Sequence, residues 1–300
     1  MNQESTEGKF AKEMVAELRS RRRWGIFFKF VLISYVTFGA VFFFKSDETI
    51  SDDDLTGLVR LDGVIGGSVG TSYSDVLRGL KSAFSNRNTK GVILAINSPG
   101  GSPVQSATLN QEILRLRKEY DKKPLIVVIE DIGASGGYYV ASAAEEIFAS
   151  KSSLVGSIGV RLDSFGFVEG LNRLGIERRL ITAGSNKGLL DPFTPLKTAD
   201  LEHTQRLLDD IHKDFISAVK NGRGEKLSDS AEIYSGLIWT GRESLGLGLI
   251  DGFGSIESVA REKFSTDNVV DFTYSEFDFY SAIRTTALAI HSLFKLYPSM

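Results

Sequence analysis

Two uninterrupted apolar runs, GVILAI at 91–96 and LIVVI at 125–129, constrain this chain more than any other feature. A strand with one wet face alternates apolar and polar residues. A strand that is apolar throughout is buried on both faces, as in a parallel sheet covered by helices. Leu58–Ile65 (LVRLDGVI) reads as a further strand, with a turn at Gly66-Gly67-Ser68. Helical spacing occupies Tyr73–Phe84, Pro103–Tyr120 and Ser135–Ala144 between and after these strands. Strand–helix alternation of this kind predicts right-handed βαβ units and an α/β fold with a mostly parallel sheet. Thr198–Asn221 is the best amphipathic helix. Thr198 is placed to cap it, Leu201, Leu208, Ile211, Phe215 and Val219 share one face, and Gly222 is placed to stop it.

A third apolar run lies outside this pattern. Residues 26–44 (IFFKFVLISYVTFGAVFFF) carry one charge, Lys29. A helix of this length crosses a hydrocarbon core of roughly 30 Å, and Trp24 falls where an interfacial aromatic belongs. Residues 1–45 hold eight Lys/Arg against four Asp/Glu, which leaves 27 against 34 for the rest of the chain. The basic flank, with Arg19, Arg21, Arg22 and Arg23, is expected on the cytoplasmic side, and everything after residue 46 across the membrane. A cleavable signal would have a shorter apolar core and a small-residue site. Phe42-Phe43-Phe44-Lys45 stands there instead, which favours a retained anchor.

Composition removes several function classes. A net charge of −3 leaves no electrostatic footprint for nucleic acid. The absence of cysteine excludes disulfides, thiol catalysis and cysteine-ligated zinc, and three histidines leave little for a metal site, so no metal or other cofactor is expected.

The chemistry is expected in the loops that follow the two buried strands, where open α/β sheets bind ligands. The first is Asn97-Ser98-Pro99-Gly100-Gly101-Ser102 and the second Gly133-Ala134-Ser135-Gly136-Gly137. One N–H from each could form an oxyanion hole. Ser135, at a strand-to-helix turn, is either a helix cap or a nucleophile. A nucleophilic serine needs a base. His203 and His212, nine positions apart on one helix, point to opposite faces and read as solvated, and His291 lies in the tail. Lysine remains. Its amine ordinarily titrates near ~10.4 and becomes neutral at pH 7 only when dehydrated. Lys187 follows a strand-like Arg179–Ile181 and has no charged neighbour between Arg179 and Asp191. It is either that base or a solvated loop residue. Ser157, in GSIG, is by itself placed as a turn residue.

In this order, NSPGGS, GASGGYY, GSIGV and a lysine 52 positions after Ser135 resemble the signal peptide peptidase A (SppA) group of membrane-anchored Ser-Lys serine proteases, in its short, single-repeat form. The resemblance runs from about Leu58 to Gly254. It implies a ClpP/crotonase-like spiral of ββα units. Ser135 becomes the nucleophile and Lys187 the general base, Gly101 and Gly136 the oxyanion donors, and Ser157 the residue that orients the lysine. It also implies hydrophobic peptide substrates, such as signal-peptide remnants or membrane-protein fragments, and a ring-shaped homo-oligomer. The expected location is the bacterial inner membrane, with the protease domain outside the cytoplasm. A stomatin-partner protease of the same fold, an acyl-CoA enzyme and a non-catalytic membrane scaffold are the alternatives. The expected organisation is a cytoplasmic tail at 1–23, an anchor in contact with lipid at 24–45 and a linker at 46–55. A protease domain at 56–265 and an apolar extension at 266–300 follow. The aromatic stretch from Tyr274 to Tyr297 matches no motif of the group.

Overall fold

The computed structural model describes Met14 and residues 22–35, 53–66 and 70–274. It divides into a unit at Met1–Asp53 and a unit at Asp54–Met300. In the first, residues 22–35 form helix α1 with its side chains exposed, and Trp24 and Phe28 each meet Phe27 edge to face. The rest of the 26–44 run lies outside the described residues. Among the described residues, no helix is long and apolar enough to cross a membrane.

The second unit is built on an eight-stranded sheet of order β6-β5-β3-β2-β1-β8, with β4 joined to β3 and β7 to β4. Its central strands are β1 (Leu55–Asp62), β2 (Thr89–Ser98) and β3 (Leu125–Ala134), mutually parallel. GVILAI is the middle of β2 and LIVVI the first half of β3, and the both-faces expectation holds in detail. Val92, Leu94, Ile96, Val127 and Ile129 enter the larger core, while Ile93, Ala95, Ile126 and Val128 enter a smaller core on the opposite face. Helices α2 (Tyr73–Ser85), α3 (Pro103–Glu119) and α4 (Gly136–Ala141) supply residues to the first; α7 (Ile256–Phe264) covers the second. Ser102 caps α3 through Gln105 N–H, with Pro103 in its first turn.

Strand β3 has two partners on one side. Ile126–Ile129 pair with β4 (Glu146–Ala149), and Ile132–Ala134 pair with β5 (Leu154–Gly156). The end of β3 that leads into Ser135 is therefore paired with β5 and not with β4. Strand β6 (Ile238–Thr240) adds antiparallel to β5, and the short β7 (Gly252–Phe253) adds parallel to β4. The sheet continues past residue 265, where β8 (Val269–Asp271) pairs parallel with β1.

Helix α6 (Thr198–Arg223) departs from its expected form. Lys197, not Thr198, occupies its cap position, without a side-chain hydrogen bond, and the helix runs through Gly222 to end at Gly224. Gly222 is needed for proximity, because a Cβ there would strike the Ser142 carbonyl. Of the apolar face, Phe215 and Val219 are buried, but Leu201 is half-exposed. Thr204 is buried nearer its start, but burial along α6 is concentrated toward its C-terminal end, at Phe215, Val219 and Arg223. That end is anchored by Arg223, whose fully buried guanidinium meets Asp251 at 2.6 Å and donates to the Gly248 carbonyl at 2.9 Å.

Residues 160–197 form an arm between β5 and α6. It contains helix α5 (Val168–Arg173), a stack of Phe167 on Phe193, and an Arg178–Asp191 ion pair at 3.0 Å. The strand-like segment Arg179–Ile181 is not a strand; it is exposed coil within this arm. Large apolar side chains stand in solvent along it, with Ile181 94% and Leu174 74% exposed.

Candidate active site

Ser135 closes β3 and opens α4 with φ 51° and ψ −123°. A non-glycine residue held there stores about 1–3 kcal/mol of strain, a cost typical of residues the surroundings force into place for chemistry. Its amide donates to the Gly156 carbonyl at 2.8 Å, and its carbonyl accepts from Tyr139 N–H at 2.9 Å, so the backbone is pinned on both sides. Its side chain makes no cap hydrogen bond. The cap reading of Ser135 therefore fails, and its hydroxyl is left to a cavity of about 620 Å³.

The two Gly-rich loops meet at that cavity. Gly100 has φ 104°, and a Cβ there would lie 2.7 Å from both the Gly136 nitrogen and the Ser135 Cβ. A Cβ on Gly136 would lie 2.5 Å from Ser106 Oγ and 3.2 Å from the Gly101 nitrogen. Only glycine permits this approach. The Gly101 amide is not spent on the bridge to Ile65, whose hydrogen bonds come from the Ile65 and Ser102 amides. The Gly136 amide sits in the first turn of α4, where no intrahelical acceptor precedes it. Ser98, buried at the end of β2, fastens the first loop. Its hydroxyl donates to the Gly63 carbonyl at 2.6 Å and accepts from Gly100 N–H at 3.2 Å. Sequence reasoning assigned Ser98 no role, although it belongs to the NSPGGS string.

Ser157 also lines the cavity, with φ 51° and its amide donating to the Leu237 carbonyl at 2.7 Å. Apolar walls come from Val64, Tyr139, Ile211 and Phe215, and Tyr139 stacks on Phe215 with ring centres 4.8 Å apart. Burial, and after it the Asp214 carboxylate, pushes the Tyr139 phenol above its ordinary range, so it stays neutral. Of the expected site residues, Ser135, Gly101, Gly136 and Ser157 thus face one space. Lys187 does not line it; it is exposed on the arm. Among the described residues, no group of His, Cys, Asp or Glu could hold a metal ion.

His203 is exposed, as expected. His212 is not the solvated residue that its helical position suggested. It is half-buried, with Nε2 3.1 Å from the Ile158 carbonyl, directly after Ser157. The helical wheel placed it correctly relative to His203 but could not show which segment lies alongside.

A serine on a strained turn, facing one cavity with the backbone of Gly101 and Gly136, is the site of a serine hydrolase. The profile of peptidase family S49 matches residues 117–269, just over half of the chain, and the chain belongs to that family. The resemblance to the signal peptide peptidase A group is borne out by relatives. The chloroplastic serine protease SPPA of Arabidopsis thaliana is 30% identical over 188 residues, 61% of this chain and 27% of that protein. Protease 4 of Haemophilus influenzae is 28% identical over 187 residues, 62% of this chain and 30% of that protein. A protein of Brucella abortus named Na(+)/H(+) antiporter NhaA is 49% identical over 185 residues, 62% of this chain and 25% of that protein. The chain therefore spans between a quarter and a third of the length of these relatives. The fold resembles that of a mutant of the 1510-N membrane-bound stomatin-specific protease, with a TM-score of 0.50 and 16% identity, covering 74% of this chain and 99% of that one.

Proposed function

We propose that the protein is a membrane-anchored serine endopeptidase that hydrolyses apolar peptides through a Ser-Lys dyad. The observation that carries this reading is Ser135 itself, strained, uncapped and turned toward a cavity bordered by the Gly101 and Gly136 amides. In the proposed cycle Ser135 Oγ attacks the scissile carbonyl and its proton passes to neutral Lys187. The Gly101 and Gly136 N–H groups take the oxyanion. The C–N bond breaks, Lys187 returns the proton to the leaving amine, and an ester to Ser135 remains. Water, deprotonated by the same amine, then cleaves that ester. Ser157 is proposed to accept a hydrogen bond that orients the lysine. The apolar walls suit hydrophobic substrate side chains, and residues 24–45 would hold the enzyme beside the membrane that supplies them.

Lys187 is exposed on an arm that bears apolar residues in solvent, and among the described residues lining the Ser135 cavity there is no lysine or histidine. We therefore propose that the dyad is completed between copies, with the arm of one subunit bringing Lys187 to the Ser135 of its neighbour in a homo-oligomeric ring. The primary test is a fluorophosphonate probe together with hydrolysis of a quenched apolar peptide by the full-length protein. Wild type is expected to be labelled at Ser135 and to cleave. Ser135→Ala is expected to fold, escape labelling and lose at least ~10³-fold in rate. Wild-type cleavage by Ser135→Ala would refute the assignment.

A further inference from the structure

The arm is attached in an unusual way. Among the described residues, no hydrogen bond or ion pair joins residues 160–197 to the body, and those that the arm makes are internal or lead into the first turn of α6. Its orientation is therefore set at its two roots, the segment leaving β5 and the helix α6 returning. The outgoing root passes through Ser157 and Ile158. The returning root reaches the body at Phe215, which is buried against Tyr139. Between Lys197 and Ile211, the polar contacts of α6 stay within the helix, as with Thr204 to the Asp200 carbonyl and Gln205 to Asp209. The next residue, His212, makes the first bond outward, and it makes it to the other root, at the carbonyl of Ile158.

Resting on the peptidase reading above, we infer that His212 is a positioning residue that clasps the two roots of the arm and so fixes the angle at which Lys187 is presented. A carbonyl only accepts, so His212 Nε2 carries the proton. Ile158 is itself buried and follows Ser157, so the clasp ties one bond to both the arm and the wall of the Ser135 cavity. Loosening it leaves the peptide-binding walls in place but lets the lysine wander. Misplacing a catalytic group by about 1 Å costs up to ~10²-fold in rate, with the effect in turnover rather than binding.

The experiment uses three variants of the full chain and two readouts. His212→Phe keeps the ring and removes the donor. His212→Ala removes both. His212→Gln returns an N–H donor at similar reach. Because the chain has no cysteine, Ile181→Cys on the arm and Lys122→Cys on the body place two unique spin labels, read by pulsed electron resonance after dilution with unlabelled protein. His212→Phe and His212→Ala are expected to broaden the arm-to-body distance distribution and to lower kcat about 10–100-fold, with KM unchanged within about twofold. His212→Gln is expected to restore both. Wild-type distances in His212→Phe and His212→Ala overturn the inference, as does loss of activity with an unchanged distribution. If the unsubstituted protein shows no Ser135-dependent cleavage, the peptidase reading fails, and the distance measurement still decides the clasp.

Discussion

At the scale of the residue, Ser135 shows chemistry and stability pulling apart. Its φ of 51° and ψ of −123° suit glycine far better than serine. Glycine relieves about 1–3 kcal/mol of strain and gives back about 0.5–1 in unfolded-state entropy. Ser135→Gly should therefore be about 1 kcal/mol more stable to urea than Ser135→Ala, with both inactive. Equal midpoints would mean that the turn is not strained. Gly136→Ala places a methyl 2.5 Å from Ser106 Oγ, over the Gly101 nitrogen, and so crowds the oxyanion position. A loss of ~10²–10³-fold in kcat is expected, with Ser135 still present for labelling. The two Gly-rich loops, with Ser135 in the second, were legible in the sequence because they follow runs of apolar residues, whereas Gly101 and Gly136 were singled out by the family resemblance. The discriminating fact was not legible, since only coordinates show that the Ser135 side chain caps nothing. His212 was missed for a related reason. A helical position reports its own face, not the neighbour that a 54-residue excursion brings back beside it.

At the scale of the element, α6 is a lever with one end held. The hold is electrostatic as well as apolar. Burial tends to push the Asp251 carboxyl up, but hydrogen bonds from Arg223 and Lys226 outweigh this and keep it below the usual carboxylate range. The unfolded chain, with an ordinary aspartate near ~3.9, takes up the proton first as pH falls. The stabilisation is thus complete above the unfolded value and is lost as pH drops through the folded one. Asp251→Asn should flatten that acid-side loss of stability and lower stability at pH 7 by about 3 kcal/mol, because it strands the buried Arg223 charge. Urea unfolding between about pH 3 and pH 7 checks both. An unchanged slope would show that the anchor lies elsewhere. The amphipathic pattern of α6 was plain in the sequence, but on that face Phe215 and Val219 are buried while Leu201 and Ile211 stay exposed. Periodicity gives the face of a helix and not what covers it.

At the scale of the whole molecule, the parallel sheet was the most legible feature, because strands buried on both faces leave an unmistakable string. The arm was illegible, because a segment that leaves the body carries no periodic signature of where it goes. Its exposed Ile181, Leu174 and Phe165, with Lys187 between Gly184 and Gly188, make functional sense in the proposed ring, where one copy completes the next. The most direct measurement is peptide hydrolysis by an oligomer co-expressed from Ser135→Ala and Lys187→Ala chains. Each variant alone is predicted to be inactive. The mixture is predicted to recover up to about a quarter of wild-type activity, since an intact Ser135 then meets an intact Lys187 at some subunit junctions. An inactive mixed oligomer, or wild-type cleavage by either parent, would contradict a dyad shared between copies.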